Sequence, residues 1–346
     1  MGGVWRRERN NVIPAPYLLY LGSEADELSV KTSRGVAQWR PELCIGQYRR
    51  AGSVLSLELP DMSFKEAVAR GARTLVLGIA NAGGTMRREI VEDARVALEA
   101  GLNLASGLHQ RLRDQPTIVS VADRCGRQLF DVRDAPLGLP VGTGVRRVGR
   151  RLLTVGTDCS VGKMYTSLAL ERELRRRDVR ADFRATGQTG ILIAGTGVPV
   201  DAVVADFISG SVEALSPVRS DGGWDLIEGQ GSLFHPSYAG VSLGLLHGAQ
   251  PDAIVLCHEP GRPHMRGIPG RALPDLATCL KANLEAARLT SPGVKAIGVA
   301  LNTSKLSTSE MNRACTKVTE ELGLPCQDPL RTGVGRLVDE LLASFP

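Results

Sequence analysis

Gly156-Thr157-Asp158-Cys159-Ser160-Val161-Gly162-Lys163-Met164 is the stretch whose reading decides the fold. It follows Leu152-Leu153-Thr154-Val155, an apolar run with the composition of a buried strand, and it opens a helical pattern carried by Leu168, Leu170 and Leu174. A glycine-rich turn between a strand and a helix N-terminus, with a lysine just inside the helix, builds a P-loop. Successive backbone N–H groups wrap an anion, the helix dipole favours its charge, and the lysine adds a point charge. The sequence therefore predicts a phosphate-binding loop formed by Gly156, Cys159, Ser160, Val161, Gly162 and Lys163.

Two departures from the usual pattern are informative. Five residues, rather than four, separate Gly156 from Gly162-Lys163, and Met164 stands where a P-loop normally carries Ser or Thr. That hydroxyl is a ligand of the Mg²⁺ that accompanies a nucleoside triphosphate, and a thioether offers a hard cation almost nothing. Thr166 lies two residues further along the helix and projects to another side. The loop is equipped to hold phosphate and poorly equipped for Mg-ATP chemistry.

Upstream, strands are expected at Tyr17 to Ser23, Val54 to Leu59, Thr74 to Ala80, Leu102 to Ala105 and Thr117 to Val121. A short helix from Ser63 to Arg70 has Asp61 as its expected N-cap, and a longer one from Thr85 to Ala100 bears Ile90, Val91, Ala94 and Leu98 on one face. Apolar strands alternating with crossover helices imply an α/β fold with a parallel, Rossmann-like sheet. No G-x-G-x-x-G fingerprint accompanies it, and Gly83-Gly84 reads equally as a phosphate contact or as a turn. Pro136, Gly138, Pro140, Gly142 and Gly144 crowd a linker-like stretch. The expected division is a Rossmann-like domain over 1–145 and a P-loop NTPase-like α/β domain over 146–346.

Composition narrows the function classes. A chain of 346 residues with 43% hydrophobic and 23% charged content is ordinary for a globular protein. The net charge is only +5, and aromatics are 4% of the chain, so nucleic-acid partners are not expected. Arg172, Arg175, Arg176 and Arg177 read as a solvated helix face. Seven scattered cysteines, with no C-x-x-C pair, predict reduced thiols in a cytoplasm rather than disulfides or zinc. No apolar run approaches a membrane span, and the basic, polar Met1 to Asn11 lacks the apolar core of a signal peptide. A homo-oligomer is expected on general frequency alone.

In the second half, strands end at Phe183-Arg184, at Trp224-Asp225-Leu226-Ile227 before Glu228, at Ala253 to Cys257 before His258-Glu259-Pro260, and at Ala296 to Leu301 before Asn302. Ligands of open α/β sheets bind at the carboxyl ends of strands, so these loops gather the candidate site. The P-loop resembles that of dethiobiotin synthetases, which share its spacing but place Thr after the lysine. Glu228-Gly229-Gln230-Gly231 is similar to that family's acidic loop, and Asn302 sits where those enzymes read adenine. Over most of its length, through Gly156 to Met164, Arg184 to Gly190 and Glu228 to Pro236, the chain resembles the D-glutamate N-acetyltransferases. In these proteins an N-terminal Rossmann-like domain is fused to such a P-loop domain, and Met164 fits them.

That resemblance implies acetyl-CoA as the anionic co-substrate, its phosphates cradled without phosphoryl transfer, and an acidic amino acid such as D-glutamate as acceptor. Lys163 with Cys159 to Gly162 would hold phosphate, and Asn302 would bond an adenine or cap its own turn. Glu228 is the leading candidate base, with a Mg²⁺ role as its alternative. His235 is a second candidate, since histidine is the residue type suited to act as a base at neutral pH. Asp158 either faces the acceptor amine or bonds its own loop. Arg184 either clamps a substrate carboxylate or forms an ordinary salt bridge. Cys159, at a helix N-terminus, is a candidate for a lowered thiol pKa and a covalent route, ranked below direct transfer. His258 and His264 fit no metal motif, and no metal is expected. A Mg-ATP ligase and a non-enzymatic nucleotide-sensing module are the alternative functions.

Overall fold

The computed structural model describes residues 12–25, 27–79 and 85–346. In chain order its strands and helices are β1 (Tyr17–Gly22), α1 (Lys31–Trp39), β2 (Cys44–Arg49), α2 (Phe64–Ala69), β3 (Thr74–Leu77), α3 (Arg88–Ala100), β4 (Asn103–Ser106), α4 (Pro116–Cys125) and β5 (Leu129–Asp131). There follow β6 (Arg150–Gly156), α5 (Lys163–Arg176), β7 (Ala181–Arg184), α6 (Gln188–Ala194), α7 (Ile208–Leu215), β8 (Trp224–Ile227), α8 (Ala239–Ala249) and β9 (Ala253–His258). The chain closes with α9 (Leu276–Arg288), β10 (Lys295–Leu301), α10 (Thr308–Leu322), β11 (Cys326–Gln327) and α11 (Gly335–Ser344). Among the described residues no helix is long and apolar enough to cross a membrane.

The residues fold into two compact units. One comprises the chain up to Ala135 together with Gly187–Pro199, and the other Pro136–Thr186 and Val200–Pro346. The sequence put the boundary at 145/146. The division falls earlier because the Pro/Gly-rich stretch is strapped to the second unit: the backbone N–H groups of Thr143 and Gly144 donate to the Glu213 carboxylate at 3.0 and 2.9 Å. Arg147 donates to the carbonyls of Ser216 and Gly248 at 2.9 and 2.7 Å. Helix α6, inside the expected P-loop domain by sequence, packs with the first unit, where Arg133 donates to Gln188 Oε1 at 2.7 Å.

The first unit is a five-stranded parallel sheet in the order β2-β1-β3-β4-β5. Leu18, Leu75, Leu77, Leu104 and the α3 residues Ile90, Ala94 and Leu98 are fully buried in its core. Two expected strands are corrected. Val54 to Leu59 is not a strand: Val54 is 77% exposed, and the Leu57 N–H donates to the side chain of Gln47 at 2.7 Å. The strand belongs to β2, just upstream. Thr117 to Val121 is helical, since Pro116 stands in the first turn, Ile118, Val121 and Ala122 share a buried face, and Gly126 closes the helix in the left-handed conformation. Helix α2 is capped by Ser63 in a reciprocal box with Glu66, not by Asp61. Gly83-Gly84 lies outside the described residues.

The second unit is a six-stranded parallel sheet in the order β11-β10-β9-β6-β8-β7. Registers Leu152↔Ala253 and Leu152↔Leu226 set β6 centrally, between β9 and β8. Both faces of its strands are covered, so Leu152, Ile254, Val255, Ile297 and Val299 are near-continuously apolar and buried. Each such side chain stabilises the fold by roughly 1.5–3 kcal/mol. The order brings the loops that follow β6, β8, β9 and β10 to one carboxyl edge. The arginines of α5 sit in ion pairs, Arg175 with Glu171 and Asp182, Arg176 with Glu173, and Arg177 with Glu173 and Asp339.

Candidate functional site

The loop between β6 and α5 has the backbone of a P-loop. Gly162 is the helix N-cap at φ 104°, a conformation that favours glycine. Lys163 begins the helix and curls back, its Nζ donating to the Asp158 carbonyl at 2.8 Å, and it is 6% exposed. Burial lowers its pKa, because a charged ammonium is being held away from water. The next strand is drawn tight against this loop: a Cβ on Gly229 would lie 1.7 Å from the Thr154 carbonyl and 3.0 Å from Lys163 Cδ. Only glycine lets the β8 loop pass so close. Thr166 donates to the Gly162 carbonyl at 3.0 Å and leaves Met164 without a hydroxyl at its side.

Asp158 bonds its own loop, one of the two arrangements the sequence offered for it. It is fully buried, and its Oδ1 accepts from the Cys159 N–H at 2.7 Å. Its Oδ2 accepts from Arg262 Nη1 at 2.7 Å and from the Arg266 N–H at 2.8 Å. Burial alone would raise its pKa, but these donors prevail and lower it. Both carboxylate oxygens are thus bonded within the loop and to the segment after β9.

Arg262, which sequence reasoning passed over, is the centre of this anchor. Besides Asp158 it donates to the carbonyls of Cys159 and Ser160 at 2.7 and 2.9 Å and pairs with Glu259. Glu259, 5% exposed, accepts from Lys305 Nζ at 2.7 Å. Beside it, His258 Nδ1 and the Thr157 hydroxyl lie 2.9 Å apart. Burial, then the charge of Arg262, pushes the His258 pKa down to about 4, so this imidazole is neutral at pH 7.

His235 is bonded through both ring nitrogens. It is 2% exposed; its Nδ1 accepts from the Ser237 N–H at 3.2 Å, which leaves Nε2 to donate to the Arg266 carbonyl at 3.0 Å. Through these bonds the ring ties the loop after β8 to the loop after β9. The fold brings His235 beside the P-loop thiol: the polar atoms of Asp158, Cys159 and His235 lie within 4.8 Å of one another. Burial nevertheless raises the Cys159 pKa, the reverse of the expectation from the helix N-terminus, so the thiol stays protonated.

Glu228, at the end of β8, is 4% exposed. Its Oε2 accepts from the Thr186 N–H at 2.9 Å and its Oε1 from Gln230 Nε2 at 3.2 Å, while Thr186 Oγ1 donates to its carbonyl at 2.6 Å. Asn302 lies beside the P-loop, its Cβ 3.8 Å from where a Gly162 Cβ would stand, and its Oδ1 accepts from the Ser304 N–H at 3.3 Å. Arg184 forms a salt bridge, the second of the two readings given for it: its Nε and Nη2 hold the buried Asp225 at 3.0 and 2.9 Å, in a cluster that Arg219 also joins. It is committed to a salt bridge and not free to clamp a carboxylate.

The comparisons fit this geometry. A family described as a domain of unknown function, DUF1611, matches through its Rossmann-like domain over residues 48–135 and its P-loop domain over residues 140–338. A protein of Pseudoalteromonas sp named D-glutamate N-acetyltransferase is 48% identical over 329 residues, 95% of this chain and 99% of its own. One of the same name from Tritonibacter scottomollicae is 50% identical over 332 residues, 96% of this chain and all of its own. The chain belongs to the D-glutamate N-acetyltransferase family. The crystal structure of a DUF1611 family protein from Anabaena variabilis, 32% identical, superposes with a TM-score of 0.84 over 95% of this chain and all of that one. As a member of this acyltransferase family the chain is an enzyme acting on a small molecule, and its chemistry requires an acyl donor.

Proposed function

We propose that the enzyme moves the acetyl group of acetyl-CoA to the amino group of D-glutamate, in the cytoplasm. The reading rests above all on the 48% and 50% identity, over nearly the whole chain, to two proteins of that named activity. The P-loop agrees with it on physical grounds. A buried ammonium whose bonded partner is a carbonyl suits the phosphates of CoA, and a loop with Met164 in place of a hydroxyl holds phosphate without recruiting Mg²⁺.

Lys163 and the N–H groups of Cys159 to Gly162 bind those phosphates and so fix the donor, and Asn302 borders the same loop for its adenine. In the reaction the acceptor amine attacks the thioester carbonyl, the tetrahedral oxyanion collapses, the C–S bond breaks and CoA leaves as its thiolate. A base takes the proton of the acceptor ammonium. Glu228, at the carboxyl end of β8 next to the P-loop strand, is the candidate for that base, and its bonds from Thr186 and Gln230 would hold the carboxylate in place. The pantetheine arm separates the thioester from the phosphates, so the role of Glu228 is read from which constant changes. Glu228→Gln lowers kcat with little change in donor KM if the carboxylate is the base, and raises donor KM if it orders the P-loop.

The test of the activity is release of free CoA thiol from acetyl-CoA with D-glutamate, L-glutamate or no acceptor. Release that requires D-glutamate is the expected result. Silence with each acceptor, accompanied by Mg²⁺-dependent ATP hydrolysis, would replace the transferase with a ligase.

A further inference from the structure

The loop that leaves β9, residues 259–271, carries three arginines, Arg262, Arg266 and Arg271. They differ in what they are bonded to. Arg262 is consumed by Asp158 and Glu259. Arg271 donates to the Phe234 carbonyl at 3.4 Å, a long contact at the far end of the loop. Arg266 is exposed, its guanidinium meets the Ser160 hydroxyl at the tip of the P-loop, and among the described residues it is paired with no carboxylate. Its backbone is at the same time fixed, the N–H by Asp158 and the carbonyl by His235. A hydrogen-bonded main chain therefore presents an exposed guanidinium, paired with no carboxylate among the described residues, at the tip of the P-loop.

We infer that Arg266 is a second cationic arm of the donor site, closing on a phosphate of the CoA donor alongside Lys163. A guanidinium binds phosphate through paired N–H donors, a geometry the single ammonium of Lys163 does not supply. Ser160 marks the resting position of the arm, and exchange of that neutral acceptor for a phosphate oxygen adds the attraction of opposite charges to the hydrogen bond. The anchors Asp158, His235 and Arg262 then acquire a shared purpose: they hold the backbone from which the arm swings.

This inference rests on the proposed donor, and the experiment separates the two. Donor and acceptor KM, kcat and equilibrium acetyl-CoA binding are measured for the wild type, Arg266→Ala and Arg266→Lys, with thermal melting as the control for folding. Substitution at this side chain leaves its backbone contacts in place. The expected result for Arg266→Ala is a donor KM raised roughly ten- to a hundredfold, the size of one charge-assisted hydrogen bond, with acceptor KM and kcat near wild type. The salt dependence of donor binding also becomes shallower, and Arg266→Lys recovers part of the loss. Wild-type protein that binds acetyl-CoA while Arg266→Ala binds it equally well overturns the arm and leaves the donor assignment standing. Failure of the wild type itself to bind acetyl-CoA overturns the donor assignment.

Discussion

The carboxyl edges of the two parallel sheets carry comparable cations in opposite electrostatic states. At the edge of the first, Arg50 donates to Asp93 from Nε and Nη2 at 2.8 and 2.9 Å, and Arg87 pairs with Glu24. Both carboxylates are buried, and Asp93 also accepts from the Tyr20 hydroxyl at 2.7 Å. At the edge of the second, the Lys163 ammonium meets a carbonyl and the Arg266 guanidinium a hydroxyl. The cations named at one edge are bonded to carboxylates, whereas the two at the other are bonded to neutral oxygens. On the proposed function, the units share an architecture and differ in which charges are left without a carboxylate.

The largest expected effect of breaking this contrast is at Lys163. Lys163→Met is expected to lower kcat/KM for the donor by about a hundredfold or more, beyond the size of a single charged hydrogen bond because the N–H cradle also loses its charge. Its melting temperature is expected to hold or rise, since a buried ammonium is removed. Arg87→Met, at the other edge, should do the reverse, keeping the kinetics and losing stability. Paired steady-state kinetics and calorimetry check both, and a wild-type donor constant for Lys163→Met would remove the contrast.

Next in size is the anchor under the P-loop. Arg262→Leu leaves the Asp158 carboxylate buried with only backbone donors, and a loss of about 3 kcal/mol is expected in urea denaturation. Asp158→Asn added to it should recover part of that loss, because no charge is then left unpaired. An additive double variant would mean that the two groups are not coupled.

His258 gives a pH-dependent comparison. With its folded pKa near 4 against 6.5 for the free side chain, the unfolded chain binds more protons between those values. Stability is therefore fully present above pH 6.5 and falls as pH drops toward 4, by on the order of 1–3 kcal/mol from this group. His258→Gln should flatten that part of the melting profile, measured as the difference from wild type so that carboxylate titrations cancel. A profile of unchanged slope would show that the imidazole titrates normally.

The smallest effect is expected at Arg184. Arg184→Gln should cost about 1 kcal/mol of stability and leave acceptor KM as it is, the salt bridge to Asp225 being its role. A tenfold rise in acceptor KM would return it to the substrate site.

Much of the fold could be read because its signals are local. Gly156 to Lys163 between an apolar run and a helical one specifies a strand, a phosphate loop and a helix, and Glu228 and Asn302 follow from the rule that loops after strands gather at one edge. The misreadings arise where a residue's meaning depends on a distant partner. Asp158 looks free in sequence until Arg262, 104 residues away, takes its carboxylate. Arg184 looks like a clamp until Asp225 occupies it. The loop arginines themselves carried a readable signal, since Arg262, Arg266 and Arg271 alternate with Gly and Pro directly after a strand. Thr117 to Val121 was misassigned because a short apolar run does not distinguish a strand from one buried helix face; Pro116 and Gly126 were the deciding cues.

The claim on which the rest depends is that the P-loop holds the phosphates of the acyl donor. The most direct measurement is binding of acetyl-CoA to the wild type, without Mg²⁺, against increasing inorganic pyrophosphate. Mutual exclusion is expected, with acetyl-CoA binding weakened in proportion to pyrophosphate and lost in Lys163→Met. Acetyl-CoA binding that is indifferent both to pyrophosphate and to Lys163→Met would put the donor elsewhere in the molecule.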